Sequence, residues 1–96
     1  MELGKVRGKV VSTVRDPQLP ACSLLLVELV GTDKGKPGGT HVAADPLGAG
    51  EGEIVLLTRG SSARLGLSAT APVDLCVVGI VDEVSEGGTV SYSKNA

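Results

Sequence analysis

Short runs of aliphatic residues, separated by turns rich in glycine and proline, constrain the fold of this chain most. Such runs are typical of β-strands, and glycine permits the tight turns between them. The runs that predict strands cover residues 5–14, 23–30, 40–44, 53–58 and 74–82. We therefore predict an all-β fold, a small five-stranded β-barrel similar to the oligonucleotide-binding fold. One short helix over residues 61–67 and a C-terminal hairpin, in which residues 89–92 pair back after Gly87-Gly88, complete the prediction.

Local patterns make further predictions about these elements. In the first strand, Val6 and Val10 are predicted to share one face, and Gly8 between them indicates a bulge. The run over residues 23–30 is apolar without alternation, so it is predicted to be buried on both faces, by the fold or by a partner. Residues 31–39 are predicted to form a flexible hairpin loop, and residues 93–96 a loose tail.

The size of the chain points to self-association. Its 96 residues form one predicted domain, 1–96, which buries only roughly 60–65% of the surface that its unfolded form exposes. Small domains gain stability from disulfides, metals or partners. One histidine and two distant cysteines offer no metal-ligand spacing, and the chain shows neither a secretory leader nor a membrane segment. We therefore predict free thiols, a cytoplasmic location and stabilisation by oligomerisation.

Composition argues against several kinds of binding protein. The chain has one tyrosine and neither tryptophan nor phenylalanine, whereas aromatic residues are the usual anchors for peptides, sugars and unstacked bases. The net charge is −2, and the nine basic residues are scattered. A phosphate-binding surface would need them clustered. A large contact made of aliphatic side chains remains compatible with this composition.

Candidate catalytic and cofactor motifs fail on their context. His41 and Asp45 share a strand face but lie roughly 13 Å apart along it, too far for an acid–base pair. The glycines at 48, 50 and 52 precede a strand, whereas a dinucleotide loop opens a helix. Residues 31–36 have the wrong spacing for a P-loop. The sequence predicts no enzyme activity, no catalytic residue, no cofactor and no metal.

The segment after Gly60 contains two candidate capping residues and one arginine that can bind acidic groups or carbonyls. Ser61 or Ser62 is predicted to cap the short helix, and the planar guanidinium of Arg64 can bind a carboxylate or several carbonyls. Asp45, Glu51 and Asp74 are the candidate acceptors, in the same chain or in a neighbouring copy. A solvent-exposed Arg64 is the alternative.

An ordered series of motifs carries a family resemblance. The succession Asp, Gly-Ala-Gly, Gly-Glu and Gly-Ser-Ser-Ala-Arg over residues 45–64 is specific in this order. Further matching segments are residues 3–8, 10–13, 16–17, 24–27, 42–45 and 72–82. The chain resembles the pentameric vertex proteins of bacterial microcompartment shells, which include carboxysome and ethanolamine-utilisation vertex subunits. Residues 73–84 are most similar to the ethanolamine-utilisation branch.

The resemblance implies a structural role. Five copies would form a ring around a narrow axial pore, at the vertices of a shell whose facets are hexameric proteins of another fold. The resemblance and the small residues together suggest a subunit interface or pore loop formed by Asp45, Gly48, Ala49, Gly50, Ser61, Ser62 and Arg64. Alternatives from other classes are a nucleic-acid-binding barrel of similar shape and a small enzyme.

Overall fold

Seven strands and one 3-10 helix make up the described part of the computed structural model, which comprises residues 1–30, 39–64, 67 and 71–94. The elements in chain order are β1 (Glu2–Val10), β2 (Ser23–Leu29), β3 (Thr40–Asp45), β4 (Ile54–Arg59), the 3-10 helix (Gly60–Arg64), β5 (Leu75–Ile80), β6 (Glu83–Glu86) and β7 (Thr89–Ser93). Residues 31–38 of the predicted hairpin loop lie outside the described residues, as do residues 65 and 66 of the predicted helix.

The first five strands close into a barrel, and the last two form a separate hairpin. The order around the barrel is β1-β2-β3-β5-β4, with β4 pairing back onto β1. All neighbours are antiparallel except β3 and β5, which run parallel and meet at Ala44 and Cys76. The prediction of a small all-β barrel with a short helix and a C-terminal hairpin is confirmed.

A bulge in β1 corrects one prediction about its faces. Val6 pairs with Val27, but the register shifts before Gly8, and Val10 pairs with Leu24. Val27 and Leu24 are three residues apart, so they point to opposite faces of β2. The bulge at Gly8 is therefore confirmed, whereas the prediction that Val6 and Val10 share a face is wrong. One extra residue in a strand reverses the orientation of every side chain after it.

Aliphatic side chains fill the barrel. The largest fully buried ones come from β1, β2, β4 and β5 and are Val6, Leu25, Val27, Val55, Leu57 and Val77. A second, smaller cluster lies against Ala44 and Cys76 and contains Ala63, Ala71 and Val73, with Leu24 packed on it. The second face of β2 is thus partly covered by the chain itself.

Both cysteines belong to this smaller cluster. Cys76 is buried within it, and Cys22 is half-buried at its margin. Burial, followed by the nearby Cys22 and Asp45, raises the pKa of the Cys76 thiol. The reactive thiolate of Cys76 is accordingly disfavoured, which makes Cys22 the more accessible thiol for chemical modification.

Gly4 is required where β1 crosses the barrel core. A Cβ atom at this position would lie 2.7 Å from Leu57 Cδ1, inside contact distance of a fully buried side chain. We expect Gly4→Ala to lower the free energy of unfolding by about 1–3 kcal/mol, because a filled core resists an added methyl group. Gly8→Ala is the matched control, since no described atom lies within 4 Å of a Cβ placed there. Urea unfolding of both variants tests this, and equal stabilities would contradict it.

Candidate assembly surface

The carboxylate of Asp45 organises the loop that follows β3. Its Oδ1 accepts hydrogen bonds from the backbone N–H groups of Leu47 and Gly48, both at 3.1 Å, and its Oδ2 accepts one from Ala49 at 2.8 Å. Asp45 is only 3% exposed. A buried carboxylate needs several donors to compensate for its lost hydration, and these three supply them. Asp45 thus holds residues 46–49 in one conformation.

The same loop closes one end of the barrel. Gly48 has a φ of 85°, which only glycine adopts readily, and this turn directs Ala49 back into the barrel core. The Ala49 methyl group packs there with the buried side chains of the strands. Leu47 points the other way and is 52% exposed. Any contact that this loop makes with another chain would therefore use Leu47 and the exposed glycine backbone, since Ala49 is turned inward.

A second turn anchors the loop to β1 and to the chain's end. Gly50 N–H donates to the Glu53 carboxylate, and Gly52 N–H donates to the Val6 carbonyl at 2.8 Å. The other oxygen of the Glu53 carboxylate pairs with Lys94 Nζ at 2.7 Å. Ser93 is the last residue of β7. The prediction of a loose tail from residue 93 is therefore wrong for Ser93 and Lys94, and residues 95 and 96 lie outside the described residues.

The Glu53–Lys94 pair shifts the titration of both groups. The hydrogen bond from Lys94, followed by that from Gly50, lowers the pKa of Glu53, and the bond to Glu53 raises the pKa of Lys94. Because the pKa of Glu53 is lowered in the folded chain, the ionised carboxylate stabilises the fold at pH values above the ordinary pKa of glutamate. That effect is lost as the pH falls through the lowered value. The raised pKa of Lys94 means that its contribution is lost only at strongly alkaline pH.

Lys94→Met is expected to raise the pKa of Glu53 toward its ordinary value, because the first of its stabilising partners is removed. A carboxyl titration followed by NMR measures this. Lys5→Met, which changes an exposed lysine of β1 outside this pair, serves as the control. An unchanged Glu53 pKa in Lys94→Met would show that the ion pair does not persist in solution.

The segment after β4 presents the second group of predicted site residues. The 3-10 helix begins at Gly60, whose φ is 64° and whose N–H donates to the Asp74 carbonyl at 2.9 Å. Ser61 and Ser62 are exposed and lie inside its first turn. They do not occupy the position before the helix that a capping residue takes, so the predicted capping role is wrong.

Arg64 ends this helix in a half-buried position. Its Nε atom is buried, yet no acceptor among the described residues hydrogen-bonds to it. Within the described ranges the ion pairs are Arg7–Glu28, Arg59–Glu2 and Lys94–Glu53, so none joins Arg64 to Asp45, Glu51 or Asp74. A buried guanidinium N–H without an acceptor is costly. The acceptor predicted within the same chain is therefore not observed in this part of the structure. The other predicted acceptor, a group on a neighbouring copy, stays a prediction.

The residues next to Asp45 and Arg64 belong to one buried cluster. Ala44, which precedes Asp45, and Ala63, which precedes Arg64, both lie in the smaller cluster. Ala49 packs instead with the side chains of the barrel interior. Sequence reasoning missed Glu53 and Lys94, because residues 41 positions apart show no local pattern of pairing.

This surface offers shape and hydrogen-bonding groups but little reactive chemistry. Among the described residues, no three His, Cys, Asp or Glu side chains converge as a metal site would require. His41 lies half-buried on β3, opposite Val27 of β2. No helix within the described ranges is long and apolar enough to cross a membrane.

Comparison with known proteins decides the family. The model of the family described as "Ethanolamine utilisation protein EutN/carboxysome" matches residues 1–82. This chain belongs to the EutN/CcmL family. It is 50% identical over 95 residues to the bacterial microcompartment shell vertex protein EutN of Escherichia coli (strain K12), an alignment that covers 98% of this chain and 100% of that protein. The predicted similarity to the ethanolamine-utilisation branch is confirmed.

Solved structures agree with this assignment. The structure of an ethanolamine utilization protein, EutN, superposes with a TM-score of 0.88 at 52% identity, covering 98% of this chain and 99% of that one. The pentameric microcompartment shell protein GrpN from Rhodospirillum rubrum gives a TM-score of 0.78 at 44% identity, covering 90% and 99%. The family consists of structural shell proteins, so the prediction that this chain is not an enzyme is confirmed.

Proposed function

We propose that this chain is the vertex subunit of a bacterial microcompartment shell and that five copies close into a ring. The observation that carries the proposal is the match of nearly the whole chain to shell vertex proteins, together with the pentameric state of GrpN. A shell with flat facets needs a five-fold unit wherever the facets converge. The proposal places this chain at those vertices, in contact with hexameric shell proteins.

The exposed apolar residues support a ring. A cyclic assembly uses a head-to-tail contact, in which two different patches of one chain meet. Val42 of β3, Val78 of β5 and Leu47 of the loop are exposed although they are apolar. Burying such side chains between subunits would supply the stability that a barrel of this size gains only in part from its own core.

Arg64 is proposed to link neighbouring subunits. Its buried Nε lacks an acceptor among the described residues, and a carboxylate or carbonyl of the next subunit would provide one. Gly48 and Gly50 are proposed to allow close backbone approach at the subunit contact or around a narrow axial pore. Asp45 and Ala49 serve this surface by holding its loop in place.

Counting the subunits in solution tests the proposal. Native mass spectrometry should show an assembly with five times the mass of the 9.6-kDa chain. Co-expression with hexameric shell proteins should give closed shells that contain the chain, and shells lacking it should have open vertices in electron micrographs. A folded monomer at high concentration would overturn the proposal. Nothing in the comparisons supports the nucleic-acid-binding alternative.

A further inference from the structure

The β6–β7 hairpin stands apart from the barrel. It contains two strands only, and neither packs along a strand of the barrel. At its base, Lys94 N–H donates to the Asp82 carbonyl and Lys94 Nζ pairs with Glu53. The match to the family model ends at residue 82, just before this hairpin begins.

The β6–β7 hairpin forms an arm that has little stability by itself. A two-stranded hairpin is marginal in water unless a third strand or another surface covers it. Val90 is 50% exposed, and Tyr92, which pairs with Val84, is the only aromatic residue of the chain. Tyrosine is enriched among the residues that dominate binding energy at interfaces. These features indicate that the arm is stabilised by contact with another chain.

A groove on the barrel has the complementary character. It has a volume of about 430 Å³ and lies between residues 9–12, Arg15 and residues 21–24. Val11 at its edge is 85% exposed. Arg15 is held there, because its Nη2 donates to the Pro20 carbonyl at 2.8 Å. The described lining has two basic residues, Lys9 and Arg15, and no acidic one, and no residue of the hairpin of the same chain lines it.

The hairpin carries the opposite charge. Glu83 and Glu86 of β6, and Asp82 just before it, are exposed, and in the described part of the chain no basic side chain forms an ion pair with any of them. An acidic arm with an apolar side chain at its middle thus fits a basic groove with an apolar edge. Opposite charges on two patches of one chain favour head-to-tail contact and disfavour contact between like patches.

We propose that the β6–β7 hairpin of one copy docks into the groove formed by residues 9–12, Arg15 and residues 21–24 of the next copy. Glu86 near the hairpin turn would face Lys9 and Arg15, and Val90 would contact Val11. This arm contact deepens the proposed function and rests on it, because the next copy is the neighbour in the ring. Each subunit contributes one arm and one groove, so the contacts close with the ring.

Cross-linking locates the arm. Cys22 lies in the groove, so Glu86→Cys places a thiol on the hairpin without changing the groove. A short bismaleimide should then join the introduced thiol of one copy to Cys22 of the next and give covalent multimers up to the size of the ring. Adding Cys22→Ser should abolish every multimer. Lys5→Cys, in an exposed position of β1 outside the groove, is the matched control and should give no covalent multimers.

Charge reversal provides the second measurement. Glu86→Lys and Lys9→Glu should each raise the concentration needed for ring formation about twofold to fivefold, in line with surface ion pairs. The doubly reversed chain should recover the original concentration. Lys5→Glu changes the net charge equally outside the groove and should show no recovery when combined with Glu86→Lys.

The arm contact and the pentameric ring are contradicted by different results. If native mass spectra show a ring of five but cross-linking gives no covalent multimers, the arm contact alone is overturned. The same holds if cross-linking gives only dimers that persist with Cys22→Ser. A wild-type chain that stays monomeric overturns both. Covalent multimers that require Cys22, together with the original assembly concentration in the doubly reversed chain, support both.

Discussion

Asp45→Ala is expected to lower the free energy of unfolding by about 2–4 kcal/mol, because Asp45, the last residue of β3, organises the loop that follows it. The change removes the acceptor for the N–H groups of Leu47, Gly48 and Ala49. The N–H group of Ala49 is buried, and a buried donor left without an acceptor is costly. Because Ala49 closes the end of the barrel core, release of the loop also admits water there. A loss of this size is a large fraction of the stability of a small domain.

Asp16→Ala is the matched control for this prediction. Asp16 Oδ1 accepts a hydrogen bond from Gln18 N–H at 2.8 Å, but the residue is exposed, so water replaces the lost contact. Urea unfolding at one fixed protein concentration compares the two variants, and hydrogen exchange of residues 47–49 reports on the loop itself. Equal stabilities for Asp45→Ala and Asp16→Ala would show that Asp45 does not organise the loop.

Arg64→Glu is expected to abolish the ring while leaving the barrel folded. The substitution removes a cation whose Nε is buried without an acceptor among the described residues, and it places a negative charge where we propose an acceptor of the neighbouring chain. Truncating one partner of a buried charged pair at an interface costs about 2–5 kcal/mol. Since every contact in a ring is identical, the cost recurs at each one.

Arg64→Lys tests the geometry separately from the charge. Lysine keeps the positive charge but lacks the planar fork, so a partly dissociated ring is expected. Native mass spectrometry gives the subunit count, and circular dichroism checks that the strands remain. A pentamer of unchanged stability in Arg64→Glu would remove Arg64 from the interface.

Local sequence patterns predicted the five barrel strands and β7, whereas residues 83–86 were not predicted as a strand. Aliphatic runs bounded by glycine and proline located both ends of each of the five barrel strands to within a few residues. Gly87-Gly88 correctly indicated the hairpin of β6 and β7. Gly8 correctly indicated a bulge, but its effect on Val10 depended on the pairing with β2. Register is a property of two strands together, and one strand's sequence does not contain it.

For the candidate site, the structure tests the conformation of the predicted residues, whereas their role at a subunit interface or pore stays a prediction. The order of motifs over residues 45–64 identified the loop and the helix together through the family resemblance. The inward turn of Ala49 was not predicted, because an alanine flanked by glycines fits a loop surface and a core equally well. An acceptor for Arg64 was predicted in the same chain or in a neighbouring copy, and the described part of the structure places none in the same chain.

The sequence by itself determined that the chain forms a β-structure with an aliphatic core and that it belongs with shell vertex proteins, because strand periodicity, turn residues and ordered motifs are local signals. Only the tertiary structure decided which side chains meet: the three N–H groups on Asp45, the Glu53–Lys94 pair and the outward arm of β6–β7. These contacts depend on how distant segments are brought together when the barrel closes, and closure is a property of the whole chain.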